Sequence, residues 1–198
     1  MDILKQAAKS WLKISEYSYV ITYGKSQKLH TIEIVFDRLD FYHLAGFQYL
    51  QDLKLPTVPQ SKIIGAILDN KINGEYIKKG KKYFALVESR LSALINLEYS
   101  LDNDFRMFKY RPDVYPFYTA ITTAEYLIEG KTPDNSLFFF TIKSDKVYNG
   151  MSIFMKDKNK DFSFNQKSLS ILKKEKINLV TSNRFVLFDK LLNQKPQI

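Results

Sequence analysis

Two polar side chains stand close enough in the sequence to share one chemical task. His43 carries an imidazole, a side chain that can act as base or acid near neutral pH. Arg38, shortly before it, carries a planar guanidinium whose fork matches a phosphate. Asp40 stands between them as an N-cap for a helix beginning at Phe41. That cap would place His43 in the first turn, where backbone N–H groups and the positive dipole end favour a phosphate. Gly46 then leaves the same face open to a substrate. The plainer alternative has His43 hydrogen-bonded to a neighbouring strand and Gly46 permitting close helix packing. His30, on a hairpin strand, reads as structural or exposed.

Several chemistries lack their residues. The chain has no Cys, which excludes disulfides, thiolate zinc sites and cysteine nucleophiles. Its seven Gly are scattered, with no phosphate-cradling loop, and its two His are too few for a histidine-rich metal centre. The acids show no paired spacing for a two-metal site. The expectation is a protein without cofactor or metal that works with side chains alone.

The elements that must position these residues follow from periodicity. Ile3, Leu4, Ala7, Ala8, Trp11 and Leu12 form one stripe of an N-terminal helix over residues 1–15. Glu16–Tyr23 and Leu29–Phe36 read as a β-hairpin around a turn at residues 24–27. A helix over Phe41–Leu53 follows, then a Pro-stiffened connector at residues 55–59 and a short helix over Ser61–Asp69. Asn73-Gly74 and Gly80 mark turns, and a longer helix from about Lys81 to Leu97 carries Phe84, Val87, Leu91, Leu94 and Ile95 at helical spacing. Beyond Phe105 strands are expected at Tyr115–Ile121, Ala124–Ile128, Leu137–Lys143 and Tyr148–Met155. A last helix near Asn165–Lys174 then precedes a strand at Ile177–Thr181. Segregated helices and strands predict an α+β fold, with an N-terminal hairpin and helices packed on an antiparallel sheet. The expected organisation is a single domain over 1–198, with a tail at 181–198.

With 45% hydrophobic residues, including 15 Phe and 13 Tyr, such a chain can fill one core. No apolar run approaches the roughly 18 residues needed to span a bilayer, and the N-terminus lacks the order of a secretory signal. A soluble chain is expected, acting in the cytoplasm of the cell that makes it or receives it, with no membrane partner. The net charge is +9. Residues 71–90 carry six bases against two acids and residues 143–176 carry nine against four, so these two stretches account for the whole excess. Two basic surfaces on a neutral body suit a polyanion; solvated helix and loop faces would give the same count.

Phe36-Asp37-Arg38-Leu39-Asp40-Phe41-Tyr42-His43-Leu44-Ala45-Gly46-Phe47 resembles the F…F-x-H-L-x-G signature of the fourth phage-type family of barnase/EndoU/colicin/RelE-like nucleases. Residues 62–91, with Ile67–Ile72, Tyr83-Phe84 and Arg90, look like its helical insert. Ala124-Glu125-Tyr126-Leu127-Ile128 resembles its A-x-Y-L-I strand. Ser152-Ile153-Phe154, Gln166 and Ile171–Lys176 resemble its ending. The likeness covers about residues 17–180. It departs from the pattern at Ile153, where a second aromatic is usual, and at Thr122-Thr123, where the strand entry is more basic or Ile-rich.

The resemblance implies a barnase/RelE-like fold whose relatives are metal-independent ribonucleases, often toxins or phage-mobile effectors. Their chemistry is attack of an RNA 2′-hydroxyl on the adjacent phosphate, which needs a base, an acid and cations for the phosphorane charge. His43 and Arg38 would be central. On the sheet side Ser152 and Thr122 are candidate catalytic hydroxyls, and Tyr126 is a candidate binding hydroxyl. Lys173 and Lys174 are candidate phosphate contacts, as are Lys78, Lys79, Lys81 and Lys82 in the first basic stretch. Each has a bland reading beside it: Tyr126 as core packing, Ser152 as a strand-edge partner, the lysines as a solvated helix face. A second function class stays open, a non-catalytic phage accessory or anti-defence protein that binds a host protein or ribonucleoprotein on the same scaffold.

Overall fold

Asp2 starts the first helix by accepting hydrogen bonds from the amides of Leu4 and Lys5, which holds α1 (Ile3–Ile14) at its N-terminus. Of the expected stripe, Leu4, Ala7, Ala8 and Trp11 are buried and Ile3 and Leu12 partly so, and Ile14 joins them in the core. In this computed structural model residues 2–116, 118–158 and 160–192 are described. β1 (Tyr17–Lys25) and β2 (Lys28–Ile34) form the hairpin, joined at Ser26 and Gln27, both with positive φ as a mirror-image two-residue turn requires. Short helical segments lead onward: α2 (Asp40–Leu44), 3-10 turns at Phe47–Tyr49 and Gln60–Lys62, α3 (Ile63–Leu68), α4 (Gly74–Ile77) and a π-helical turn at Tyr83–Val87. They run into α5 (Glu88–Asp102). The strands β3 (Phe105–Lys109), β4 (Tyr126–Lys131), β5 (Ser136–Ser144), β6 (Val147–Met155), β7 (Ser170–Asn178) and β8 (Arg184–Asp189) complete the fold.

The eight strands make one sheet in the order β3-β4-β5-β6-β2-β1-β7-β8. The fold is α+β, as expected, but the sheet is mixed, because β2 and β6 run parallel where Ile34 faces Tyr148. The helices between β2 and β3 carry the chain to the far edge. A four-strand meander then returns it to β2 pointing the same way. The sheet curls so far that Phe108 of β3 bridges Ser168, just before β7. The phenols of Tyr23 on β1 and Tyr126 on β4 meet at 2.7 Å across its concave face. That face and the helices α1, α3 and α5 share one core, with Trp11, Tyr19, Phe41, Leu94 and Phe139 fully buried. The convex face carries Phe108, Phe138 and Phe140, covered by Tyr110, Tyr115 and Phe162 from the flanking loops.

Several expectations fail locally, each for a physical reason. The helix from Phe41 stops at Leu44 rather than Leu53, because Gly46 turns left-handed at φ +86°. Asn73-Gly74 does not merely turn; the Asn73 side chain caps α4 by accepting from Tyr76 N. Tyr115–Ile121 is no strand among its described residues: Pro112 opens a 3-10 turn and Tyr115 leaves the sheet to stack on Phe162 at 4.3 Å. Phe117 lies outside the described residues. Residues 165–174 are not helical, since β7 begins at Ser170 and pairs along β1. The residues expected to form a tail hold β8, which pairs with β7 from Ile177↔Arg184 to Lys173↔Asp189. Among the described residues no helix is long and apolar enough to cross a membrane.

Candidate active site

Between β2 and α2 the chain is pinned by its apolar residues. Phe36 is buried edge-on against Trp11 at 5.8 Å and Tyr19 at 5.9 Å, and it stacks on Phe139. The Trp11 indole N–H donates to the Asp37 carbonyl at 3.1 Å. Phe41 and Leu44 are buried, and α2 settles close on β6 because Gly150 has no side chain: a Cβ there would stand 2.9 Å from Leu44 Cδ1. Packing therefore explains Phe36, Phe41 and Leu44. It does not explain Arg38 or His43, whose exposed side chains have no hydrogen-bond, ion-pair or ring partner among the described residues.

Asp40 corrects the sequence reading. It is the first residue of α2 rather than its cap, and its carboxylate does not cap. Leu39 is the N-cap residue and no side chain caps the helix; Asp37 accepts from Leu39 N at 2.8 Å, a local bond just ahead of it. The amides of Asp40 and Phe41 donate to the carbonyls of Asp37 and Arg38. The first-turn N–H groups are thus occupied, and a five-residue helix offers no amide cradle for a phosphate. What the turn does offer is the Asp40 carboxyl itself. It is half-buried, with the Asn149 amide at 3.5 Å as its side-chain contact and no ion pair among the described residues. Burial pushes it above the ordinary carboxylate range and nearby Asp37 adds to this, against the opposing pull of Asn149. Residues three apart on a helix are neighbours, so Asp40 and His43 share a face of α2.

Two basic groups adjoin the end of this turn. Gln48 donates to the His43 carbonyl at 3.1 Å and lines a shallow cleft of about 190 Å³ with Tyr49, Asp52, Lys81 and Lys82. Lys81 is fixed there through its backbone, whose N–H donates to Asp52 at 2.9 Å. Lys78 is paired with Glu75, and Lys79 lies over the Tyr76 ring at 5.8 Å. Beneath Gly46, the Arg90 side chain runs between the rings of Tyr49 and Phe154, with its guanidinium 5.4 and 5.9 Å from their centroids. Among the described residues it has no carboxylate partner, and burial holds its pKa below the usual arginine value. Sequence reasoning passed over Arg90 as a site residue. Its position between Val87, Leu91 and Leu94 on the buried stripe was the available signal.

A comparison with protein families matches residues 3–191 to phage-Barnase-EndoU-ColicinE5/D-RelE like nuclease4. The chain belongs to this nuclease family. No curated protein and no solved structure matches it significantly. The matched range includes the turn just described, with His43 and Gly46 in it.

The sheet-side candidates of this family member lie elsewhere. Ser152 is buried on β6 opposite Phe140, so it faces the convex side, whereas α2 packs on the concave side over Gly150 and Phe139. Thr122 is exposed in the loop before β4, whose next residue Thr123 contacts Met151 on the convex side. Neither hydroxyl is hydrogen-bonded to His43, and Ser152 lies on the opposite face of the sheet from α2. Tyr126 is buried on the concave side, hydrogen-bonded to Tyr23, edge-on to Tyr148 at 5.1 Å and beneath the Lys109 ammonium. Burial and the Tyr23 hydroxyl push its phenol far above the usual range.

Lys173 and Lys174 stand on β7, not on a helix. Lys173 pairs with Glu175 at 3.0 Å. Lys174 is buried and donates to the carbonyls of Leu101 at 2.7 Å and Asn103 at 2.5 Å, capping the end of α5. Its ammonium is committed to the fold rather than presented to solvent. No cluster of three His, Asp or Glu side chains able to hold a metal occurs among the described residues.

Proposed function

We propose that the chain is a metal-independent ribonuclease working from the α2 turn. The observation that carries this reading is that Arg38, Asp40 and His43 of one signature segment all lack ion-pair partners among the described residues. In the proposed reaction the Asp40 carboxylate takes the proton from an RNA 2′-hydroxyl, whose oxygen attacks the adjacent phosphorus. The imidazolium of His43 gives its proton to the departing 5′-oxygen. One P–O bond forms and one breaks, leaving a 2′,3′-cyclic phosphate and a 5′-hydroxyl. Arg38 holds the phosphorane charge through paired N–H donors. A carboxyl raised by burial is a better base than an exposed one.

The test is incubation of the pure protein with RNA in excess EDTA, followed by analysis of the product ends. Cyclic phosphate termini and a loss of roughly 10²–10⁴-fold in rate for His43→Ala are expected. A normally folded His43→Ala protein that cleaves at the wild-type rate removes His43 from the mechanism.

A second reading, a non-catalytic module that binds a host protein or ribonucleoprotein, is favoured by β8. This strand ends the sheet and leaves Phe185 and Val186 exposed. It predicts intact RNA and a stable complex recovered from host lysate that survives His43→Ala.

A further inference from the structure

Arg90 poses a problem that the α2 turn does not solve. A buried guanidinium without a carboxylate is costly, and an apolar side chain of the same length would fill its space against Gly46, Tyr49 and Phe154 without that cost. Its polar partners are the Tyr49 phenol and, at 3.4 Å, the Ile153 carbonyl, so most of its five donors stay uncommitted. The guanidinium lines a cleft of about 410 Å³ where the start of α5 meets the end of β6, within the roughly 300–1,000 Å³ typical of small-ligand sites.

The remaining walls say what would fit. Lys160 reaches the cleft with an exposed side chain that has no ion pair among the described residues. Lys156 also lines it, but Glu129 and Asp161 already hold its ammonium at 2.7 and 2.8 Å. One acid, Asp157, stands at the rim. Three aromatic rings, Phe154, Phe162 and Phe84, dominate the remaining lining, beside Leu86 and Met155.

Phe84 is the unexpected one. Helical spacing assigned it to the buried stripe, yet it is 69% exposed. The wide π-helical turn over Tyr83–Val87 breaks the 3.6-residue phase and swings it out, a distortion often met at functional sites. The fully buried Tyr83 ring packs edge-on against it at 5.0 Å and steadies it.

We propose that this cleft holds one nucleotide of a single-stranded nucleic acid, with its phosphate on Arg90 and Lys160 and its base stacked on Phe84. A planar cation for the phosphate and a sequence-tolerant aromatic platform for the base are the parts such a site needs. The inference takes its ligand class from the nuclease reading but does not require cleavage.

The full chain is titrated with adenosine 5′-monophosphate, adenosine and inorganic phosphate, and with a labelled 2′-O-methyl oligonucleotide that cannot be cleaved. The nucleotide should bind more tightly than either of its halves. Phe84→Ala and Lys160→Ala, both exposed positions, should each weaken nucleotide and oligonucleotide binding roughly tenfold. Arg90→Met should abolish nucleotide binding without lowering the melting temperature, which a merely structural arginine would not allow. If Arg90→Met instead unfolds the chain, the two exposed variants decide. Unchanged affinity in Phe84→Ala and Lys160→Ala overturns the proposal. A protein that binds through this cleft yet never cleaves RNA sinks the catalytic reading alone; one that cleaves but ignores these variants sinks the cleft alone.

Discussion

Gly46 and Arg90 meet beneath the signature turn: a Cβ on Gly46 would stand 3.0 Å from Arg90 Cδ and 3.4 Å from Val87 Cγ2. The glycine has two separate reasons to be there, its φ of +86° and this contact. Gly46→Ala should therefore cost about 1–2 kcal/mol for the left-handed backbone, with a further loss from displacing Arg90. Gly46→Asn should recover part of the first cost, because Asn tolerates that conformation. Urea denaturation of both variants separates the two. Equal losses would assign the whole effect to the Arg90 contact.

Asp40 should trade stability against activity. Its folded pKa is raised above the ordinary 3.8, so the folded state holds this proton more tightly than the unfolded state does. The contribution to stability is complete below about pH 3.8 and is lost as pH rises through the folded pKa. Asp40→Asn removes that dependence. Its stability relative to wild type should grow from acid to neutral pH, while its rate of RNA cleavage falls. A variant that loses stability at neutral pH and keeps its rate would return Asp40 to a structural role.

Much of this was legible in the sequence, and what was not has identifiable causes. The α1 stripe, the hairpin and the strands β4, β5 and β6 are written in periodicities of 3.6 and 2, which local sequence carries directly. Ile171–Lys176 misled because its lysines and Glu175 look like a helix surface. In the fold Lys174, Glu175 and Lys176 are buried in strand β7, where Lys174 caps α5 and Lys176 pairs with Glu98 and Asp102. Only tertiary partners make such a strand. The parallel junction of β2 and β6 was equally hidden, because it depends on where the long helical crossover returns the chain. At the site, the residue types of Arg38 and His43 were readable. The half-buried carboxyl of Asp40 was not, because α2 starts one residue earlier than its pattern suggests and sets Asp40 inside the first turn against Asn149 of β6.

The first basic stretch should act through Lys81 and Lys82 more than through Lys78. Lys81 and Lys82 line the cleft beside Gln48 and are exposed, whereas Lys78 is already paired with Glu75 at 2.7 Å. Each cation that neutralises a phosphate of a single strand contributes about 0.7 to the slope of log affinity against log salt. Replacing Lys81 and Lys82 by Gln should flatten that slope by roughly 1.4 for an uncleavable oligonucleotide. Lys78→Gln should change it little. The same flattening from Lys78→Gln alone would show that the Glu75 pair opens on binding.

Lys174 supplies a pH dependence that tests the fold independently of any ligand. Burial lowers its pKa from 10.5 to about 8, partly opposed by Asp102 and Asp104. The unfolded chain therefore binds the proton more strongly between about pH 8 and pH 10.5. In that window stability rises with pH, because the unfolded state must give up a proton that the folded state has already lost. Below about pH 8 the lysine is charged in both states and its burial penalty is fully present. The neutral amine can still donate to the carbonyls of Leu101 and Asn103, so deprotonation relieves the penalty without uncapping α5. Lys174→Met removes both the donors and the titration. Its stability measured against wild type by urea denaturation should show a gap that is constant below about pH 8. Above that the gap should widen in the wild type's favour, by on the order of 2–3 kcal/mol at about 1.4 kcal/mol per pKa unit. The other lysines and tyrosines titrate in both proteins and cancel in the difference. A gap that stays constant up to pH 10.5 would mean that the Lys174 ammonium is solvated, and that β7 does not bury it against the end of α5.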